Sequence, residues 1–374
     1  MKTPPRTRAF PSGRTLAVIG LGNIGSQLID LLAPLPWLAR LVLLDKDAYE
    51  LANLASQNIT PAQVGLPKAT AQARRLRRLH PRLQVEAYVA DVAEVPWGWL
   101  RADAIVACLD SLEARLRVNE IAWRLGVPWL DGGIEPSGSL VRVNAYLPGP
   151  GQPCGACALD DADYRNLSSR QPCQAASRSP VPTAAPPALG AVAAGLLATE
   201  CAKLFGAQTH TTLLGRQVIL DLAHHRHYLT QFRRNARCRF DHGTWRMEPL
   251  PALPRDATLG RLLAQAQRLV GAPGPVRLAV PGQVFARALH CPGCGRSREQ
   301  LHLLGRLPAR LAGCASCHGR AMQAVGFKIL ERLDSDALAR SRDTSLSRLG
   351  FRHGELLAIQ SPRRTGHCLL HFKP

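Results

Sequence analysis

The sequence contains few acidic residues, few aromatic residues and no long apolar run. It has 27 Asp and Glu against 47 Lys and Arg, and aromatic residues make up 5% of the chain. No run is apolar over the roughly 20 residues that cross a bilayer. The start of the chain, Met1–Gly13, contains Pro and Arg and lacks the apolar centre of a signal peptide. We therefore expect a cytoplasmic globular protein without a membrane partner.

The formal net charge of +20 raises the question of a nucleic-acid partner. The basic residues are mostly Arg and are scattered through every segment, with only short clusters such as Arg74–Arg78 and Arg233–Arg237. No aromatic residues lie between them. This pattern favours a solvated, Arg-rich surface over a nucleic-acid groove.

The first half of the sequence alternates short apolar runs with segments of helical spacing. Leu16–Ile19 and Leu41–Leu44 are typical of buried strands, and Ser26–Leu32 between them has the spacing of a helix. The spacing predicts a further helix over Leu112–Leu125, ended by Gly126. This alternation predicts an α/β fold of the Rossmann-like type, with a doubly wound, mostly parallel sheet.

A glycine-rich turn between the first strand and the first helix predicts a nucleotide site. Its sequence is Gly20-Leu21-Gly22-Asn23-Ile24-Gly25, and in such a turn backbone N-H groups and the helix dipole face a phosphate. Asp45 follows the second strand, where an acidic side chain accepts hydrogen bonds from a ribose hydroxyl. The candidate nucleotide-binding residues here are Gly20, Gly22, Asn23, Gly25 and Asp45. Alone, they fit an NAD-dependent dehydrogenase equally well.

Polar residues further along the chain separate two kinds of nucleotide enzyme. They are Asp47, Asn53-Leu54-Ala55-Ser56-Gln57, Gly65-Leu66-Pro67-Lys68-Ala69, and Asp110-Ser111 with Arg115. In these residues the chain resembles the MoeB, ThiF and HesA family, whose fold also forms the adenylation half of ubiquitin-activating enzymes. The resemblance covers about Thr15–Asp221 and indicates a bacterial ubiquitin-like protein activating enzyme.

The resemblance implies a role for each of these polar residues and implies ATP and Mg²⁺ as cofactors. Asp45 binds the ribose, Asn53 and Gln57 contact the phosphates, Lys68 neutralises charge on the α-phosphate, and Asp110 holds magnesium, with Asp47 beside them. The chemistry agrees, because a carboxylate attacking an α-phosphate needs positioning and electrostatic stabilisation and no general base. The alternative is that Lys68 and Asn53 are surface residues and that Asp110 is a helix N-cap.

Ser56 departs from the family pattern, because the family has an arginine at this position that reaches the triphosphate. In this family an N-terminal arm from the opposite subunit can reach the active site. We therefore expect Arg6, Arg8 or Arg14 of the arm, residues 1–14, to replace the missing arginine.

A long polar segment, Asp160–Pro187, is expected to form a loop without regular structure. The resemblance implies that this crossover loop, taken as residues 158–187, carries the thiol that receives the activated acyl group. Cys173 lies in its middle, with Arg170 and Arg178 nearby, and cations lower a thiol pKa. The alternative is an incidental loop cysteine. Cys173, Lys68 and Asp110 are thus the predicted catalytic residues.

Two sets of cysteines predict two structural zinc sites. Cys291, Cys294, Cys314 and Cys317 follow the spacing C-x2-C-x19-C-x2-C, which is typical of a zinc ribbon over residues 291–317. The earlier pair, Cys154 and Cys157, matches one half of the zinc site of the family. Its second half is irregular here: Cys238 and His242 complete the set, and Asp241 competes with His242 as the fourth ligand.

The domain prediction follows from these sites. We expect an adenylation domain over residues 15–248 and a C-terminal α+β domain over residues 255–374 that contains the zinc ribbon. The closing segments Ser345–Phe351 and Gly354–Ile359 resemble the end of a β-grasp fold, but a small partner-docking domain built on the ribbon explains them equally well.

The sequence therefore predicts an enzyme that adenylates the C-terminal carboxylate of a ubiquitin-like protein. A thioester on Cys173 and transfer to a conjugating enzyme would follow, in a bacterial ubiquitin-like conjugation pathway, and family members are usually homodimers. Within the same chemistry, the partner could be a sulfur-carrier protein of thiamine or molybdopterin synthesis, or the substrate a tRNA base. From other classes, an NAD-dependent oxidoreductase and a non-catalytic nucleotide-binding scaffold stay open.

Overall fold

A computed structural model describes residues 13–169, 185–206, 211–271, 276–307, 313–317, 322–324 and 329–373. The chain divides into two compact units, and neither unit is a single continuous segment. Unit 1 comprises Met1–Ala93 and Leu100–Thr244, and unit 2 comprises Glu94–Trp99 and Trp245–Pro374.

Unit 1 contains one 8-stranded sheet in the order β3-β2-β1-β4-β5-β6-β7-β8. Its strands are β1 (Arg14–Ile19), β2 (Leu38–Leu44), β3 (Gln84–Tyr88), β4 (Ala104–Ala107), β5 (Trp129–Glu135), β6 (Leu140–Tyr146), β7 (Arg216–Asp221) and β8 (Arg226–Gln231). The pairs from β3 to β5 are parallel and those from β5 to β8 are antiparallel. The strand order reverses between β1 and β4, which is where ligands bind in doubly wound folds. The predicted fold class is confirmed.

The described helices of unit 1 are α1 (Asn23–Leu32), α2 (Lys68–Leu79), α3 (Leu112–Leu125), α4 (Asp161–Ser169) and α5 (Pro187–Phe205). Helix α3 has the predicted bounds because both of its ends are marked in the sequence. Ser111 accepts a hydrogen bond from the Ala114 N-H at the start, and Gly126 adopts the left-handed conformation, φ +67°, at the end.

Helix α5 is the exception to the expectation that no run is apolar enough for a membrane. It is 19 residues long with a mean hydropathy of 1.5, so by length and composition it could cross a membrane. In the structure it packs in the core of unit 1, where Leu189, Ala193, Leu197 and Cys201 are buried beside α1 and the sheet. This packing is that of a core helix.

The segment expected to lack regular structure contains helix α4. The carboxylate of Asp160 accepts hydrogen bonds from the N-H groups of Ala162 and Asp163, and acidic residues occupy the first turn. Both features stabilise a helix N-terminus, which explains why the prediction of a structureless loop is wrong over Asp161–Ser169. Residues 170–184, which include Cys173, lie outside the described residues.

Unit 2 is an α+β domain with two small sheets, in the orders β10-β15-β16-β9 and β12-β11-β13, with β14 also paired to β11. Its elements are β9 (Met247–Glu248), α6 (Leu259–Val270), β10 (Arg277–Ala279), β11 (Phe285–His290), β12 (Ser297–Leu303), β13 (Gln323–Ala324), β14 (Ile329–Leu330), α7 (Ser335–Arg340), β15 (Leu356–Gln360) and β16 (Thr365–Leu369). The segment Ser345–Phe351, expected to be part of a β-grasp fold, forms turns rather than a strand. Strands β11 and β12 flank Cys291 and Cys294, the first cysteine pair of the predicted zinc ribbon.

The six residues Glu94–Trp99 are held inside unit 2 by several contacts. The Arg306 guanidinium donates to the Glu94 carbonyl oxygen at 2.7 Å, and the Gly98 N-H donates to the Gly354 carbonyl oxygen at 2.8 Å. The Trp97 ring is buried and stacks on Trp245, with 6.0 Å between ring centroids. The segment Glu94–Trp99 thus packs as part of unit 2, although the rest of that unit begins only at Trp245.

A buried ion pair fixes this part of unit 2, and we predict that breaking it destabilises the unit. Arg306 pairs with Glu355, and each side chain is only 1% exposed. The substitution Glu355→Gln leaves the guanidinium without its charge partner in the core, so we expect the free energy of unfolding to fall by about 3–5 kcal/mol. Urea unfolding followed by tryptophan fluorescence measures this.

The matched control is Glu248→Gln, because the Glu248 partner Arg364 is 48% exposed. An exposed pair contributes about 0–1 kcal/mol. Equal unfolding midpoints for Glu355→Gln and Glu248→Gln would contradict the role assigned to the buried pair.

Candidate nucleotide site and metal centres

A cavity of about 830 Å³ lies at the carboxyl ends of β1, β2 and β4 in unit 1. The structure brings most of the predicted nucleotide residues to its wall: Gly20, Gly22, Asn23, Asp45, Asp47, Gln57, Lys68 and Asp110. They come from five separate stretches of sequence and meet because parallel strands end at the same edge of a sheet.

The glycine-rich turn is tight and leaves the start of α1 open. Gly20 has φ +88°, and a Cβ on Gly25 would lie 1.9 Å from the Gly20 carbonyl oxygen, so both positions require glycine. Gly25 therefore packs against the Gly20 carbonyl group within the turn, and it does not line the cavity. Helix α1 has no side-chain cap at Gly22 and no acidic residue in its first turn. Its backbone N-H groups suit a phosphate.

Asp45 joins the end of β2 to the glycine turn. One carboxylate oxygen accepts the Leu21 N-H at 2.6 Å, and the other accepts the Asp47 N-H at 2.8 Å. Burial raises the pKa of Asp45, and these two hydrogen bonds oppose the shift. Each carboxylate oxygen can accept a second hydrogen bond, so Asp45 fits the predicted role toward a ribose.

Lys68 is the first residue of α2 and presents a partly buried cation to the cavity. Its side chain is 11% exposed, and its Nζ lies 4.0 Å from an Asp47 carboxylate oxygen and 5.7 Å from the centre of the Tyr49 ring. The Tyr49 hydroxyl donates to the Leu21 carbonyl oxygen at 3.1 Å, which ties this wall to the glycine turn. The Lys68 ammonium group, whose ion pair with Asp47 is long, is suited to binding a phosphate oxygen.

Asp110 is exposed and follows β4. This strand pairs with β1, the strand that leads into the glycine turn. The alternative role of helix N-cap is wrong, since Ser111 caps α3. The Asp110 carboxylate is therefore available to a hard cation such as Mg²⁺, which prefers oxygen ligands.

Asn53 differs from its prediction. It does not line the cavity, and its carboxamide oxygen accepts the Glu50 N-H at 2.9 Å, which caps the short 3-10 helix Leu51–Ala55. The predicted phosphate contact of Asn53 stays a prediction. Of this motif, Gln57 does reach the cavity.

The arginine that would replace the one missing at Ser56 is not Arg14 of the same chain. The Arg14 guanidinium binds Asp103 at 2.7 Å and lies over the Phe205 ring at the start of β1, whereas the cavity lies at its end. Arg6 and Arg8 lie outside the described residues. Within the described part of the chain, the cavity wall contains two further arginines, Arg115 and Arg117.

A buried acid behind this wall escaped the sequence analysis. Asp131 is 2% exposed in strand β5, whose other charged residue, Glu135, is exposed at the strand end. The sequence analysis did not predict this strand. An Asp in the short apolar segment after Gly126, directly before two glycines, was the signal that could have found it, since a buried charge requires partners.

The first metal centre is formed by Cys154, Cys157, Cys238 and His242 in unit 1. The Cys154 Sγ lies 3.8 Å from the Cys157 Sγ and 3.7 Å from the Cys238 Sγ, and the Cys157 Sγ lies 3.1 Å from the His242 Nε2. Asp241, the competing ligand, points elsewhere: its carboxylate binds Arg124 at 2.6 Å. The structure thus brings together the predicted set with His242 as the fourth donor.

The second metal centre is formed by Cys291, Cys294, Cys314 and Cys317 in unit 2. The Cys291 Sγ lies 3.8 Å from the Cys317 Sγ, and the Cys294 Sγ lies 3.7 Å from the Cys314 Sγ. A tetrahedral zinc with Zn–S bonds of about 2.3 Å holds its sulfurs about 3.8 Å apart. Both sets therefore fit Zn²⁺, and in both the protein fills all four positions, which is typical of a structural site.

We predict two zinc ions per chain, each lost independently. His242→Ala and Cys294→Ser should each reduce the zinc content from two to one, and the double variant should contain none, because three donors bind zinc much more weakly than four. Elemental analysis of purified protein measures this. Asp241→Asn is the matched control and should retain both ions; a His242→Ala protein that retains both would exclude His242 as a ligand.

Comparisons with known proteins match the part of the chain that contains this cavity. The ThiF family model matches residues 12–240. The chain is 29% identical over 181 residues to ubiquitin-like modifier-activating enzyme 5 of Oryza sativa subsp. japonica, covering 43% of this chain and 42% of that protein. It is 28% identical over 222 residues to the enzyme of the same name from Xenopus laevis, covering 55% and 54%.

The chain spans about half the length of the curated relatives it matches. Among solved structures it is similar to E. coli MccB, with a TM-score of 0.51, 21% identity, and coverage of 65% of this chain and 69% of that one. At this identity the likeness supports the fold alone. Because the family model covers more than half of the sequence, the chain belongs to the ThiF family.

Proposed function

We propose that the protein is an ATP-dependent adenylyltransferase that activates the C-terminal carboxylate of a ubiquitin-like protein. The observation that carries the proposal is that Lys68 and Asp110 line the same cavity as the open N-terminus of α1. A cation, a metal-binding carboxylate and a phosphate-binding helix end are the groups that phosphoryl chemistry requires. A lysine together with a carboxylate suited to a metal ion fits a triphosphate with its Mg²⁺ better than it fits NAD, which binds as a diphosphate without a metal ion, and this disfavours the oxidoreductase alternative.

The mechanism that this geometry supports is direct attack on the α-phosphate. The N-H groups of α1 bind phosphate oxygens, Asp45 binds the ribose, and Lys68 stabilises the negative charge that develops on the α-phosphate. Mg²⁺ held by Asp110 would neutralise the triphosphate and assist the departure of pyrophosphate. The attacking carboxylate is already ionised at neutral pH, so no residue of the chain needs to remove a proton.

The relatives whose names are given above are ubiquitin-like modifier-activating enzymes, and this supports a ubiquitin-like partner. We further propose that the acyl group moves from the adenylate to Cys173 as a thioester and then to a conjugating enzyme, in a bacterial type of pathway, with a cytoplasmic homodimer as the active form. Adenylation of a sulfur-carrier protein without a thioester is the second candidate. It uses the same cavity.

Lys68→Ala tests the electrostatic part of the mechanism. Loss of the cation should lower the rate of partner-dependent ATP–pyrophosphate exchange by about 10²–10³-fold, with a smaller effect on ATP affinity. Arg74→Ala is the matched control, since Arg74 is exposed on the same helix α2, and it should exchange at the wild-type rate. Exchange that survives Lys68→Ala undiminished would exclude this role.

Intact mass under non-reducing conditions tests the thioester. Wild type and Cys173→Ala are each mixed with ATP, Mg²⁺ and a small β-grasp protein encoded beside the enzyme. A thiol-labile adduct on wild type alone is the expected result, because only a thiolate can form this bond. No adduct on either, together with pyrophosphate exchange by both, would refute the thioester and support the sulfur-carrier alternative.

A further inference from the structure

Strands β5 and β6 place two acceptors and one cation on the same face of the sheet. The strands are antiparallel, with Asp131 opposite Asn144 and Gly133 opposite Arg142. Residues two apart on a strand face the same side. Asp131, Gly133, Arg142 and Asn144 therefore form a group beside the far end of the cavity, where Gly133 is part of the wall.

Asp131 binds two guanidinium groups, one with each carboxylate oxygen. The Arg115 Nε lies 3.0 Å from Oδ1, and the Arg142 Nη2 lies 3.0 Å from Oδ2. Burial raises the pKa of Asp131, and the two arginines oppose this. Two arginines face one carboxyl group, so the group as a whole carries positive charge beside the cavity.

Gly133 allows the two guanidinium groups to converge. A Cβ at this position would lie 3.1 Å from the Arg142 Nη2 and 3.2 Å from the Arg115 Nη2, which is closer than ordinary contact. A side chain here would displace both guanidinium groups by a few tenths of an ångström. Gly133 and Arg115 line the cavity, and the Arg142 guanidinium lies directly beside Gly133.

The two arginines differ in what they bind. The Arg115 Nη2 donates to the Leu109 carbonyl oxygen at 2.6 Å, so Arg115 supports the strand end that carries Asp110. The Arg142 side chain is 33% exposed, and Asp131 takes one of its five N-H donors. Asn144 extends the support, since its amide lies 3.4 Å from the Asp131 carboxylate and its oxygen accepts from Gln217 at 2.8 Å.

We propose that Arg142, positioned by Asp131, binds the carboxylate of the second substrate before adenylation. The proposal rests on the proposed function and names the residue that recognises the acyl substrate. A carboxylate must lie beside the negatively charged triphosphate of ATP, and this repulsion requires a cation on the side away from the nucleotide. A guanidinium is suited to the task because its planar N-H groups match a carboxylate.

The test compares two synthetic peptides that end in Gly-Gly, one with a free carboxylate and one with a C-terminal amide. Binding is measured by fluorescence anisotropy in the presence of Mg²⁺ and a non-hydrolysable ATP analogue. Wild type should bind the free acid about 10- to 100-fold more tightly than the amide, the usual effect of one charge-assisted hydrogen bond. Arg142→Gln should lose this preference, and Arg142→Lys should retain part of it.

Two further variants separate recognition from a structural role. Arg216→Gln is the matched control: Arg216 is exposed at the start of β7 in the same sheet and does not line the cavity, so its loss should leave the preference intact. Gly133→Ala should reduce the preference by displacing the guanidinium groups. The affinity for the ATP analogue should be unchanged in every variant.

The proposal is overturned if wild type shows no preference for the free acid, or if Arg142→Gln retains it. It is also overturned if Arg142→Gln weakens the ATP analogue equally, since Arg142 would then act on the phosphates or on the fold. The proposed function fails separately: a wild-type preference without any pyrophosphate exchange would refute adenylation, whereas exchange without a preference would refute only the role of Arg142.

Discussion

The hydrogen bond between the Leu21 N-H and the Asp45 carboxylate is the constraint on which the nucleotide site depends. It joins the second residue after β1 to the first residue after β2, and the Tyr49 hydroxyl adds a second link to the same turn. Only with these strand ends fixed do α1 and Lys68 face one another. The polar groups described at the cavity are therefore held by the edge of the sheet and by short-range contacts there.

The two metal centres concern the stability of each unit rather than the binding of nucleotide. In unit 1, the loops that contain Cys154 and Cys238 are 84 residues apart in sequence and pack around Trp123 and Phe240 in a small satellite core. In unit 2, the strands near the second cluster are as short as two residues, as in β13 and β14. Such elements bury little apolar area, and four-coordinate zinc bound by these residues would add the free energy that they lack.

The sequence was informative wherever a local rule decides the structure. The bounds of α3 follow from Ser111 and Gly126, and the nucleotide residues follow from strand ends that a short motif marks. Tertiary context decided the rest. Asn53 has the right type and place for a phosphate contact, but its side chain satisfies a local backbone N-H instead. The Asp131 group depends on pairing between β5 and β6, which no single segment encodes.

The passage of Glu94–Trp99 through unit 2 affects how the protein can be made and divided. During synthesis, Trp97 emerges well before Trp245, on which it stacks, so this contact forms only once the C-terminal segment has been made. A gene fragment that begins at residue 245 would lack this tryptophan, and one that ends at residue 244 would leave it with no core to enter. Recombination that replaces unit 2 would therefore have to replace both of its segments, Glu94–Trp99 and Trp245–Pro374.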